Sequence, residues 1–113
     1  MIKLKRAYET YHKDDGFRVF VDRLWPRGIS KERAHFNLWL KDIAPSTELR
    51  KWFRHDPKKW KGFKEKYEKE LKDKKELINQ LKLLEKKNMI LTLVYGAKDK
   101  EHNEAIVLAS LLK

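Results

Sequence analysis

Residues 89–97, MILTLVYGA, decide the fold. An apolar, β-favouring run that ends on glycine reads as a central strand, covered on both faces. Working outward, Leu77, Ile78, Leu81 and Leu84 fall on one stripe of a helix from about Lys74 to Lys87, with Asn88 as its stop. After the strand, KDKEH makes a polar connection and NEAIVLASLLK an amphipathic closing helix. A second β run lies far upstream in residues 17–30, FRVFVDRLWPRGIS, where Phe17, Val19, Phe20 and Val21 enter a core. Helical patterns separate the two runs, and that order predicts a right-handed parallel crossover between neighbouring strands.

The remaining elements follow from local signals. MIKLKRAYE, with Ile2, Leu4 and Ala7, suits a short half-exposed strand. TYHKDDG is a loop, too short for a crossover helix of roughly 10–12 residues, so the first two strands are expected to be antiparallel if they are neighbours. Ser30 is placed to cap a helix through KERAHFNLWLKDI, which Pro45 stops. Ser46 or Thr47 can cap ELRKWFRH. Asp56-Pro57 starts a further helix, with Trp60, Phe63, Tyr67 and Leu71 as a packing stripe rather than a base-stacking platform. The expected fold is a small single α/β domain, residues 1–113. Its few-stranded mixed sheet has two parallel central strands and is packed by several helices.

Composition bounds the function. The chain has no cysteine, which excludes disulfides, thiol nucleophiles and cysteine metal sites. The four histidines, at 12, 35, 55 and 102, show no metal-ligand spacing, and no motif calls for a cofactor. No stretch approaches the roughly 20 apolar residues of a membrane span, so the expectation is a cytoplasmic protein with no membrane partner. The net charge of +11 raises nucleic acid as a partner. Residues 51–87 carry 14 Lys or Arg against 7 Asp or Glu, so this stretch supplies most of that charge. Its signs interleave at i,i+4, as in Lys61–Glu65, Glu65–Lys69 and Glu68–Lys72, and lysine outnumbers arginine. A solvated helix face accounts for this better than a phosphate-reading surface.

The charged corner after the second strand is the stronger lead. With the 17–22 and 89–95 strands parallel, their C-terminal ends lie side by side, where open α/β sheets bind ligands. Asp22, Arg23, Trp25 and Arg27 leave one strand, and Tyr95, Lys98, Asp99, His102 and Asn103 leave the other. Each has a structural reading: an Asp22–Arg23 ion pair, a packed Trp25, an Asp99 cap. Arg27, held between proline and glycine, is the exception and suits anion binding. Asp22, His102 and Tyr95 are the candidates for proton transfer and hydrogen-bond donation. Arg23, Trp25, Arg27, Lys98, Asp99 and Asn103 are the candidate ligand contacts.

RVFVDRLWPRGISKERAHFNLWLKDIAPSTELRKWFRHDPKKW, followed by LTLVYGAKDKEHNEAIVLASLL, resembles the YeaO-like family of uncharacterised proteins, part of a larger domain-of-unknown-function class. VDRLWPRG, LWLKDIAPS, WFRHDP and YGAKDKEHN carry the likeness. It implies a compact α/β domain and the same two stretches, and adds Trp39, Pro45, Trp52, His55, Asp56 and Pro57. Longer members of the class, by this resemblance, carry a cysteine at the end of the last strand and a Cys-His-Arg run at the next helix. Here those places read Tyr95 and Asn103-Glu104-Ala105. The leading expectation is a small-molecule site for an anion such as phosphate, with or without catalysis. The alternative is a nucleic-acid-binding or regulatory module using Lys58 and Lys61 on the basic helices. Oligomeric state stays open.

Overall fold

The computed structural model describes residues 1–113. Four strands form one sheet in the order β1-β4-β2-β3: β1 Ile2–Arg6, β2 Phe17–Phe20, β3 Leu38–Trp39 and β4 Leu91–Tyr95. Every neighbouring pair is parallel. β4 is central and buried at all five positions, as its largely apolar run requires, and its one polar residue, Thr92, donates to the Asp15 carbonyl. It pairs with β2 in the register Phe17↔Leu91 to Phe20↔Val94, the parallel neighbourhood expected of these two strands.

Five helices complete the fold: α1 Lys31–Ala34, α2 Thr47–Phe53, α3 Trp60–Leu71, α4 Lys75–Asn88 and α5 Glu104–Leu112. The large core lies on one face of the sheet. Val19, Val21, Leu91 and Leu93 meet Phe63, Tyr67 and Leu71 of α3, Leu81 of α4 and Leu108 of α5 there. The α3 aromatic stripe is therefore core, and Tyr67 donates its hydroxyl proton to the Ile43 carbonyl at 2.7 Å. Caps fall where the side chains allow them. Ser46 accepts from the Leu49 amide, Asp56 from the Lys58 amide, and Asn103 from the Ile106 amide.

The other face carries a smaller cluster of Ala7, Phe20 and Val94 under Ile29 and Phe36. Beside it sits Arg18, fully buried. Its guanidinium donates to Asp15 and to the carbonyl oxygens of Ala34 and His35. Burial acts to raise the Asp15 carboxyl, but Lys5, the His12 amide and Arg18 outweigh it and hold it below the usual range.

Three expectations are corrected. β1 and β2 are not neighbours, so the antiparallel pairing expected of them as neighbours does not arise. Both lie parallel to β4, one on each side. The ten linking residues, 7–16, can span roughly 33 Å when extended, enough to return along a five-residue strand without an α-helix. The sheet is accordingly all parallel, not mixed. The helix expected through KERAHFNLWLKDI stops at Ala34, and β3 and a 3₁₀ turn at Lys41–Ile43 replace the rest. Arg18 takes the carbonyls that would continue that helix. Asn37 then pairs with the Arg18 backbone through its amide and its side chain, and the Leu40 amide bonds to Phe20. The i,i+4 pairs Lys61–Glu65, Glu65–Lys69 and Glu68–Lys72 are absent among the ion pairs within 4 Å. Exposed pairs gain too little to hold two long side chains in one geometry.

Candidate functional site

The β2–β4 register continues past the strands and decides where the site lies. The Val21 amide donates to the Val94 carbonyl, and two positions beyond Phe20↔Val94 come Asp22 and Gly96. The Gly96 amide donates to Asp22 Oδ2 at 2.9 Å. A Cβ at position 96 would stand 2.8 Å from that same oxygen, so any larger residue there would have to displace the carboxylate. From this point the two chains diverge and a cavity of about 580 Å³ opens at the C-terminal ends of the strands. This volume suits a metabolite-sized ligand.

One wall is the corner itself. Trp25 donates its indole N–H to the Ile29 carbonyl at 2.6 Å, closing the turn around Pro26-Arg27-Gly28. Its ring meets Phe36 at 5.3 Å and Trp39 at 5.5 Å in edge-to-face geometry. Trp39 in turn donates to the Asp22 carbonyl at 2.7 Å. The corner is thereby braced from below, and Arg27 stands exposed at the cavity mouth.

A second wall comes from α2 and its approaches. Thr47, Arg50 and Lys51 lie at i, i+3 and i+4 and present one polar helix face to the cavity, while Leu49 and Phe53 are buried. Arg54 and His55 follow with φ of 49° and 56°, and this turn brings His55 to the lining. Ala44, Pro45, Phe53 and Phe63 add apolar surface. The third wall is Gly96, Ala97, His102, Asn103 and Glu104.

The electrostatics are uneven. Arg23, Arg27, Arg50 and Lys51 line the cavity, and none of them belongs to any ion pair within 4 Å. The facing carboxylates are Asp22 and Glu104. Arg23 reaches the carbonyls of Ala44 and Pro45 only at 3.4 and 3.5 Å. Its Nε and Asp22 Oδ1 are the two buried side-chain polar atoms in the chain without a hydrogen-bond partner. Burial pushes the Asp22 carboxyl up to about 6, against the Gly96 hydrogen bond and the Arg50 charge, which act to lower it.

Of the residues singled out from the sequence, Asp22, Arg23, Trp25, Arg27, His102 and Asn103 meet around this one cavity. Asp22 and Arg23 do not form an ion pair. His102 Nδ1 lies 2.8 Å from Asp99 Oδ2, and its ring stands edge-on to Trp60 at 5.2 Å. No hydrogen bond links it to Asp22. Asn103 caps α5 and also donates to the Asp99 carbonyl.

Tyr95, Lys98 and Asp99 stand outside the lining. Tyr95 is buried, and burial followed by the Glu9 charge raises its phenol above the ordinary value. Asp99 accepts from the amides of Glu101 and His102, and these bonds and the His102 ring lower its carboxyl. It orders the loop before α5. Lys58 and Lys61 are exposed and lie outside the cavity. Sequence reasoning missed Tyr8, Thr47, Arg50, Lys51 and Glu104, while His55, which the family resemblance had added, does line the cavity. The legible signal was the polar i, i+3, i+4 face of α2. No group of three or more His, Asp or Glu is placed to hold a metal ion, and no helix is long and apolar enough to cross a membrane.

The chain is similar to proteins that carry no assigned activity. It is 43% identical over 112 residues to the uncharacterized protein YeaO of Escherichia coli, covering 99% of this chain and 96% of that one. It is 40% identical over 111 residues to the uncharacterized proteins Rv3073c of Mycobacterium tuberculosis and Mb3100c of Mycobacterium bovis, covering 98% of this chain and 92% of each. No solved structure matches it. The family described as the inactive DUF488-N3 subclade matches along residues 1–113, and the chain belongs to that family of YeaO-like uncharacterised proteins.

Proposed function

We propose that the cavity at the strand ends binds a small molecule through an anionic group, phosphate or carboxylate, and that the chain holds this ligand without turning it over. The observation that carries the reading is the convergence of four permanent cations without ion-pair partners. Arg23, Arg27, Arg50 and Lys51 come from the β2 corner and α2 and line one concave surface. Like charges gathered in a cleft raise the local concentration of an anion and lose repulsion when it binds. Arginine adds bidentate geometry suited to phosphate and carboxylate oxygens.

Binding without turnover is supported by two observations. His102 turns its Nδ1 to Asp99, so His102 and Asp22, the two cavity groups that are candidates for proton transfer, are not joined to one another. The family is described as inactive.

The test is a titration of ¹⁵N-labelled protein with propyl phosphate, reading the Gly96 and Gly28 amides and the Trp25 indole. A saturable shift is expected, weakened at least fivefold by Arg27→Ala and by Arg50→Ala. Reversing Lys58 and Lys61 to glutamate should leave it in place. No saturable shift would overturn the proposal. Shifts confined to the basic helices, with a steep loss on adding salt, would move the function to nucleic acid.

A further inference from the structure

From the same cavity, and resting on the anion-binding reading, we infer that the ligand is zwitterionic: an anion that also carries a protonated amino group, held by Asp22. The two buried polar atoms left without partners in the chain, Asp22 Oδ1 and Arg23 Nε, belong to adjacent residues and both line this cavity. One is an acceptor and the other a donor. Left unmet, such groups lose their hydration without replacement, and buried polar atoms in native folds are nearly always satisfied.

The local geometry leaves both without a partner in the protein. Gly96 engages Oδ2 of Asp22 and leaves Oδ1 free. The Arg23 guanidinium is drawn toward the Ala44 and Pro45 carbonyls on the opposite wall. A bare anion would satisfy Arg23 and meet repulsion from Asp22. A bare cation would do the reverse among four positive side chains. A molecule with both charges satisfies both atoms. Its ammonium donates to Asp22 Oδ1, and its phosphate or carboxylate lies among Arg23, Arg27 and Arg50. An aliphatic ammonium stays protonated well above neutral pH, as the free lysine value of about 10.4 indicates.

The experiment compares two probes of the same length, O-phosphoethanolamine and propyl phosphate, which differ by an ammonium in place of a methyl. Calorimetric titration of the intact chain at pH 7.5 should show O-phosphoethanolamine binding at least tenfold more tightly. In Asp22→Asn the preference should collapse to within twofold, with propyl phosphate gaining affinity because the facing negative charge is gone. Equal binding of the two probes to the unaltered chain would overturn the inference and leave the anion site standing. So would a preference that survives in Asp22→Asn. Failure of both probes to bind would remove the anion reading itself, and this one with it.

Discussion

The carboxylate of Asp22 is held by the backbone amide of Gly96 at 2.9 Å, across 74 residues of sequence. This single bond closes the β2–β4 junction at the edge where the cavity opens. It also fixes a half-buried acid in a place where ionisation is unfavourable, and that arrangement has measurable consequences.

Asp22→Asn should stabilise the fold at neutral pH. The Asp22 carboxyl titrates near 6 in the folded chain against 3.8 as its ordinary value, burial being the cause. A folded value above the unfolded one means that the aspartate's contribution is fully favourable only below pH 4 and declines as pH rises through 6. At about 1.36 kcal/mol per unit, the ionised group costs up to roughly 3 kcal/mol above pH 7. Asparagine can still accept from Gly96 and carries no charge. Urea unfolding should show the variant more stable by about 1–3 kcal/mol at pH 8, with the gain gone by pH 4. A gain that does not change with pH would contradict burial as the cause. Arg50, Arg23, Tyr67 and the cavity histidines also face this region, so the comparison is made as a difference between the two chains at each pH.

Gly96→Ala should break the junction through contact rather than through backbone preference. The added Cβ would stand 2.8 Å from Asp22 Oδ2. The oxygen is the end of a side chain, yet it is half-enclosed and hydrogen-bonded, so it can retreat only by losing its bond. A cost of about 1–2 kcal/mol is expected. In an Asp22→Ala background the same substitution should cost less by at least 1 kcal/mol, because the contacted atom is gone. Equal costs in the two backgrounds would separate Gly96 from Asp22.

The parts of the fold legible in the sequence were those set by local pattern. MILTLVYGA is apolar at every core position, and Trp60, Phe63, Tyr67 and Leu71 repeat at helical spacing, so periodicity alone located them. The meeting of the DRLWPRG corner with the loop before α5 followed from strand direction. What failed was long-range. Arg18 sits in the strand as an ordinary alternating charge, and nothing local reveals that it is buried and ends α1 by taking the Ala34 and His35 carbonyls. Position β1 beside β4 depends on a pairing 89 residues apart in register, Ile2↔Leu91. Lys51 was read within a solvated charged stretch and Arg50 only as part of a capped helix, since the direction α2 faces is decided by packing against the strands.

Arg18→Met should be among the most damaging single changes in the chain. The guanidinium donates to Asp15 and to two carbonyl oxygens while fully buried. Removing it leaves Asp15 with Lys5 as its remaining cation and strands the Ala34 and His35 carbonyls. Breaking a buried pair from one side costs roughly 3–5 kcal/mol. Chemical unfolding of the variant should show a loss in that range. The companion change Arg18→Met with Asp15→Asn should recover part of it, since the carboxylate that lost its buried partner is then no longer charged. No recovery would assign the loss to the carbonyls alone.

Gly62→Ala should change sign with its surroundings. Gly62 lies inside α3, where alanine is ordinarily favoured by roughly 1 kcal/mol. Here the Cβ would stand 2.8 Å from the Trp52 ring at Cη2. That ring is 39% exposed, and Lys59 and Lys66 each lie 5.1 Å from its centroid, so moving it gives up cation–π contacts. The indole thus uses the missing side chain as its seat and ties α2 to α3, the two helices that carry and back the cationic wall of the cavity. In the unaltered chain the substitution should destabilise by about 1 kcal/mol, because the ring must shift. In a Trp52→Ala background it should stabilise by a similar amount, since only helix propensity remains. A double-mutant cycle by urea unfolding reads both signs. Stabilisation in both backgrounds would show that Trp52 yields freely and that the α2–α3 contact does not depend on Gly62.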